Sequence, residues 1–158
     1  MKKLSSIVLV CVFLTLTSSA FAQFTNYTWK DYGVGFAVPS THRVLQNTAD
    51  EFASEDNNTS LHLFPYNDAS ATPKGMIVSI LNELPDLNIL QEGAYKVGGY
   101  DGYWITCEES EHPGWQYWYI GFIDPNSDVN FYAIIGYKKN NAAAVKLAEQ
   151  MSYKFKRI

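Results

Sequence analysis

The apolar positions change their spacing several times along the chain, and each change marks an element. Phe24 to Pro39, FTNYTWKDYGVGFAVP, carries two short aromatic and β-branched runs split by Asp31 to Gly33, which predicts a hairpin. Glu51 to Asn67 holds a second pair: EFASED, a polar break at Asn57-Asn58-Thr59, then SLHLFPYN, where Leu61 and Leu63 alternate with His62 and Phe64. A period of two is a strand signature. The period then lengthens. Thr72-Pro73 supplies a helix cap followed by proline at the first helical position. Met76, Ile77, Ile80, Leu81 and Leu84 form one apolar stripe, so a helix is expected that stops at Pro85. The β-branched pair Ile77-Val78 leaves a strand as the competing reading.

From Gly93 the strand pattern returns. Gly98-Gly99 and Asp101-Gly102 are both hairpin-turn material, and whether the second is a turn or a kink within one strand stays open. Glu108 to Gly114 reads as a polar loop, Trp115 to Ile123 as a strand, Asp124 to Asp128 as a turn and Val129 to Tyr137 as the last strand. Tyr117, Tyr119 and Ile123 fall on one face of that sheet and Trp118, Ile120 and Phe122 on the other. A sheet apolar on both faces needs cover on both. Asn140-Asn141 caps a closing helix with Ala144, Leu147, Ala148, Met151 and Phe155 in line, and the 76–84 helix is the natural second cover. The order strands, helix, strands, helix predicts an α+β fold with a largely antiparallel β-sheet covered by two helices. An all-β barrel with a C-terminal helix is the alternative.

The leader narrows the compartment. Lys2-Lys3 precede the apolar run Ile7 to Leu16, and Ala20-Phe21-Ala22 is a small-x-small site, the pattern of a signal peptide over 1–22 cleaved after Ala22. The run is shorter than the roughly 20 residues that span a bilayer, and Cys11 lacks the small residues that precede a lipidated cysteine. A single α+β domain, 23–158, periplasmic or secreted and without a membrane anchor, is the expectation. Ten Lys and Arg then face sixteen Asp and Glu, a net charge of −6 that gives no pull toward nucleic acid. One cysteine remains, so no internal disulfide is expected. Cys107, inside Tyr103-Trp104-Ile105-Thr106-Cys107, reads as a buried strand residue rather than a reactive thiol.

Three segments resemble the PsbP/Mog1-like family of α/β/α sandwiches. Tyr32-Gly33-Val34-Gly35-Phe36-Ala37-Val38-Pro39 is similar to that family's opening hairpin, and Val97-Gly98-Gly99-Tyr100-Asp101-Gly102-Tyr103 to its mid-chain Gly-x-x-Gly entry to the central strands. Met151-Ser152-Tyr153-Lys154-Phe155 is similar to its closing helix. The resemblance implies a layered fold and a non-enzymatic partner role, since its known branches include a photosystem extrinsic subunit and a small-GTPase binder. No residues match either branch's partner-binding set, and an exported chain has no access to a cytosolic GTPase.

The chemistry concentrates between positions 98 and 123. Tyr100, Tyr103, Trp104, Trp115, Tyr117, Trp118 and Tyr119 could stack in the sheet or face a ligand, and Trp104, Trp115, Tyr117 and Trp118 are the candidate binding residues. Trp104 and Trp118 fit cross-strand packing if their strands are neighbours. Trp115, just past Gly114, is the ring expected to be most exposed. Glu108, Glu109, Glu111 and His112 gather carboxylates and an imidazole, and Glu109, Glu111 and His112 are the candidate cation ligands. The spacing matches no EF-hand or HExxH helix, and a solvated loop is the plainer reading. Ser40, His42 and Asp50 permit a hydrolytic triad to be drawn, without a nucleophile elbow to support it. No cofactor is expected. The composite expectation is an exported, non-catalytic module that binds an envelope protein or component; a small envelope hydrolase or metal-dependent enzyme and a small-ligand carrier are the alternatives.

Overall fold

A computed structural model describes residues 23–84 and 86–158, so the expected leader over 1–22 and the helix stop at Pro85 lie outside the described residues. In chain order the elements are β1 (Phe24–Trp29), β2 (Val34–Pro39), β3 (Arg43–Asn47), β4 (Phe52–Glu55), β5 (Thr59–Pro65) and α1 (Pro73–Leu81). There follow β6 (Leu87–Val97), β7 (Tyr100–Glu109), β8 (Trp115–Ile123), β9 (Asn130–Lys138), α2 (Ala142–Ser152) and β10 (Lys156–Arg157). Seven strands form one sheet in the order β3-β4-β5-β9-β8-β7-β6, and β1-β2-β10 form a second. Neighbours are antiparallel throughout. The α+β fold read from the sequence is the one adopted, and the barrel alternative falls because the large sheet ends at β3 and β6 without closing.

Local chemistry explains the helices. The Thr72 hydroxyl accepts the Gly75 N–H at 3.1 Å, with Pro73 at the first helical position. Asn141 Oδ1 accepts the N–H groups of Ala143 and Ala144 at 3.1 and 3.2 Å. Each cap satisfies donors that the first turn of a helix leaves unpaired.

The two faces of the large sheet are covered differently. On the inner face lie α2 and the small sheet. Phe36 of β2 meets Phe52 of β4 with ring centroids 4.7 Å apart, and Phe122 stacks on Phe131 at 4.5 Å. Leu61, Leu63, Ile120, Ala133, Ile135, Ala144, Ala148 and Met151 complete this core, all buried. On the outer face, α1 alone lays Ile77 and Leu81 over Ile105, Cys107 and Tyr119. The expected two-helix cover is therefore right for both helices but incomplete: a second sheet supplies much of the inner roof.

Some boundaries move. The first helix stops at Leu81 with Asn82 as its cap, and Leu84 is exposed rather than part of the stripe. The residue before a proline is pushed out of the helical region, so the stripe cannot run to position 84. The closing helix stops at Ser152, yet Phe155 still plugs the core, 4.7 Å from the Phe122 ring. Asp101-Gly102 lies inside β7, and the turn is Gly98-Gly99, with φ of +56° and +95°. β6 begins at Leu87, six residues before the strand pattern becomes readable. Two strands carry no readable signal: β3, whose residues are all exposed, and the two-residue β10. Neither offers the alternation that betrays a half-buried strand.

Gly121 sets how closely α1 sits. A Cβ there would lie 2.8 Å from the Pro73 carbonyl oxygen and 3.1 Å from Ile77 Cγ1. Gly121→Ala is expected to lift the helix and cost about 1–3 kcal/mol, the usual range for overpacking, measured by urea unfolding.

Candidate functional site

The sheet's alternation divides the aromatic cluster between its two faces. Trp104 of β7 and Trp118 of β8 both point inward and stack across the strands, 6.0 Å between centroids at 26°. Trp118 Nε1 donates to the Tyr137 hydroxyl at 3.0 Å, and that hydroxyl donates to Gln116 Oε1 at 3.0 Å. Gln116 Nε2 and Lys139 Nζ both donate to Glu108 Oε1, at 2.9 and 3.0 Å. These bonds hold the Glu108 carboxyl below its ordinary range. Trp118 and Glu108 thus belong to one half-buried hydrogen-bond chain on the α2 side, with Trp104 stacked against it.

Trp115 and Tyr117 point the other way. Successive side chains of a strand alternate faces, so the candidate set Trp104, Trp115, Tyr117 and Trp118 does not form one surface. On the outer face, from the margin of the α1 cluster outward, Trp115, Tyr117 and the buried Tyr119 of β8 join Ile134 of β9 and Ser60, His62 and Phe64 of β5. Together with Glu55, Glu109 and His112 they line an open trough of about 470 Å³. The register explains the company: Tyr119 faces Ile134, which faces His62, while Tyr117 faces Gly136, which faces Ser60. Gly136 is the floor. A Cβ there would be 3.0 Å from Tyr117 Cε1 and 2.6 Å from Ser60 Oγ, so only glycine lets the tyrosine ring lie down on the sheet.

The rim is polar and paired. His62 Nδ1 is 3.0 Å from Glu51 Oε1, and its ring lies nearly parallel to Phe64. His112 Nδ1 is 3.0 Å from Glu109 Oε2 and meets the Tyr117 ring edge-on. The other Glu109 oxygen accepts the Tyr119 hydroxyl at 2.8 Å. Burial raises the Tyr119 pKa, and the bond to Glu109 adds to it. Burial and Glu109 likewise push the Tyr117 phenol up to about 12. Both phenols stay protonated, and the Tyr119 hydroxyl is the donor to Glu109. Arg43 closes the far rim on Glu55 at 3.1 Å.

The candidate cation set does not assemble. Glu109 and His112 bond each other, while the exposed Glu111 lies away from His112, in a neighbouring depression that Glu109, Leu84 and Leu87 also line. Among the described residues no group of three or more His, Cys, Asp or Glu side chains is placed to hold a metal ion. Adjacent loop residues diverge here because the chain turns over Ser110 to Gly114 rather than wrapping a centre. Cys107 is fully buried under α1, and burial, reinforced by Glu109, raises its pKa to about 12. Its thiol is not the activated nucleophile a catalytic role needs.

The drawn triad also dissolves. Ser40 Oγ pairs with Thr25 Oγ1, and Asp50 has no bond to His42. His42 instead lies between Ser54 Oγ at 3.0 Å and Thr59 Oγ1 at 2.7 Å, and both of those residues are buried. Asp56 completes the knot, accepting from Thr41 Oγ1 and from the Asn58 and Thr59 N–H groups. The network ties the segment before β3 to the β4–β5 turn and offers no accessible nucleophile.

No family model matches the sequence, and no curated protein matches it. Solved structures do. Cyanobacterial PsbP (CyanoP) from Synechocystis sp. PCC 6803 superposes with a TM-score of 0.61 over 89% of this chain and 96% of its own, at 10% identity. The fold is PsbP/Mog1-like. The Ran-binding protein Mog1p of Saccharomyces cerevisiae gives a TM-score of 0.57 at 12% identity, covering 85% of this chain and 95% of its own. LpqN of Mycobacterium tuberculosis, involved in cell envelope biogenesis, gives 0.55 at 13% identity, covering 85% and 90%. At such identities the PsbP/Mog1-like likeness speaks for architecture and transfers no residue roles.

Sequence reasoning reaches Trp115, Tyr117, Glu109 and His112 but passes over Glu55, Ser60, Phe64 and Ile134 as trough residues and gives His62 no role. The alternation of Ser60, His62 and Phe64 is visible in the sequence; that β9 inserts between β5 and β8, bringing them together, is not.

His42 carries a pH signature. Burial lowers its pKa below the ordinary 6.5, despite the opposing pull of Asp56 and Glu55. The unfolded chain then binds the proton first, so stability is full above 6.5 and falls as pH drops through that value toward the folded pKa. Burial pushes Asp56 upward, but the Thr41, Asn58 and Thr59 bonds outweigh it and hold the carboxyl below 3.8, adding a second loss at lower pH. Urea unfolding from about pH 7 to pH 5 is expected to show the first loss in the parent and a flattened profile in His42→Gln.

Proposed function

We propose that this chain is an exported, non-catalytic binding module that seats a protein partner on the outer-face trough. The observation carrying this reading is the trough itself: partly exposed Trp115, Tyr117 and Phe64 rings fixed on strands, over a floor of Gly136 and Ile134, ringed by paired His and Glu side chains. Aromatic residues at the centre of a patch with a polar rim are the composition of a protein interface. Tyrosine and tryptophan also bring large contact area with few torsions to freeze on binding. The structural neighbours are compatible with an accessory role, one being Ran-binding and another acting in envelope biogenesis. The leader over 1–22 argues for a partner in the periplasm or beyond.

The test uses protein expressed from the full-length sequence as bait in the envelope fraction, with captured proteins identified by mass spectrometry. Trp115→Ala and Tyr117→Ala are each expected to fold normally and to weaken the specific capture by at least about 2 kcal/mol, roughly 30-fold. Tyr153→Ala, which removes an exposed ring on the α2 side, serves as control and is expected to leave capture unchanged. Capture that survives both trough substitutions in folded protein rules the trough out as the docking site.

A further inference from the structure

The large sheet has two outer edges, and they are not equivalent. β3 is five residues long, interrupted by a register shift between Val44 and Gln46, and carries Arg43 at its start. Short length, bulging and charge are the devices that blunt an edge. β6 is eleven residues long. Its register shift falls between Ile89 and Gln91, and from Gln91 to Val97 it pairs with β7 without interruption. Among the described residues no strand pairs with its other side.

Along this regular stretch the outer-face positions are Glu92, Ala94 and Lys96. Each charge already has an opposite neighbour in its own chain: Glu92 Oε1 lies 3.3 Å from Lys74 Nζ, and Lys96 Nζ lies 2.8 Å from Asp101 Oδ1. All four side chains are substantially exposed. An antiparallel strand added by a two-fold axis normal to the sheet keeps outer-face residues opposite outer-face residues. Centred on Glu92 or on Lys96, that symmetry would set like charges against each other. Centred on Ala94, it sets Glu92 of each copy directly opposite Lys96 of the other. Gly93 and Ala94 leave the middle of the strand without bulk.

We propose that the β6 edge is a self-association surface: two copies pair antiparallel through Gln91–Val97 about a two-fold at Ala94. The pairing satisfies the outward backbone groups of both edges. On the outer face it extends two separate ion pairs into a row of alternating sign, Asp101, Lys96, then Glu92 and Lys74 of the second copy. Opposite charges directly across an antiparallel pair favour it, and like charges oppose it. Seven residues a side make a small interface, so the dimer is a transient one that forms at high concentration.

Sedimentation equilibrium on protein expressed from the full-length sequence is expected to show a dimer at about 0.2 mM, in keeping with a small interface. Glu92→Lys and Lys96→Glu, each checked for folding by circular dichroism, are expected to weaken dimerisation by roughly tenfold or more, because each makes two like-charge contacts across the axis. Mixed in equal amounts, the variants place the two lysines of one chain opposite the two glutamates of the other, and a heterodimer is expected to reappear. A parent chain that stays monomeric overturns the proposal. So does a dimer indifferent to both reversals, or a mixture no more associated than its parts.

Discussion

One imbalance governs this molecule: a seven-stranded sheet with apolar side chains on both faces has much fuller cover on one of them than on the other. A helix about 10 Å wide shades roughly two strands spaced about 4.8 Å apart. On the inner face α2 is helped by the β1-β2-β10 sheet, whose Val34, Phe36 and Val38 reach the core, and only its margin at Tyr95, Trp104 and Trp118 stays partly open. On the outer face the nine-residue α1 works alone, held against β7 and β8 by the missing side chain of Gly121. Whatever the neighbouring strands carry on that face must meet solvent or another molecule.

The chain's response to that exposure is selective. Phe64, Tyr117, Trp115 and Ile134 are left partly open, while carboxylate and imidazole pairs stand around them. Such pairs at a surface contribute little stability, typically under about 1 kcal/mol. Their effect is rather to keep the apolar area divided and wetted at its margin, below the size at which a patch drives indiscriminate association. Because the rings stand on strands and not on loops, their spacing is set by the register and needs no ordering when something binds.

How much of this is legible in the sequence depends on range. Caps and periods are local, so Thr72-Pro73, Asn141 and the alternation from Leu61 to Phe64 mark their elements correctly. The α+β class follows from the order of those elements, and the PsbP/Mog1-like resemblance rests on the segments 32–39, 97–103 and 151–155. Anything set by strand order stays hidden. Trp104 and Trp118 look interchangeable with Trp115 and Tyr117 in a string of rings, and only the pleat and the pairing of β7 with β8 send the first two to the opposite face. His62 and Tyr119 lie 57 positions apart, and nothing local announces that Ile134 stands between them. The glutamate run misleads for the opposite reason: closeness in sequence suggests convergence, whereas His112 and Glu111 fall in different depressions on either side of Glu109.

The edge and the trough, finally, are linked by the sheet's own twist. With β6 pairs at the centre of a dimer, seven strand-to-strand steps separate the β9 of one copy from the β9 of the other, since β8, β7 and β6 intervene in each. At about 4.8 Å per step the two troughs lie on the order of 34 Å apart. Each step also rotates the sheet by roughly 20°, always in the same sense, so the two outer faces end up about 140° apart. Sites so disposed cannot close on one flat surface together, and the gain in affinity that comes from two simultaneous contacts with one target is lost. Geometry of that kind suits a bridge: with a partner seated in each trough, the paired edges would join the two partners back to back.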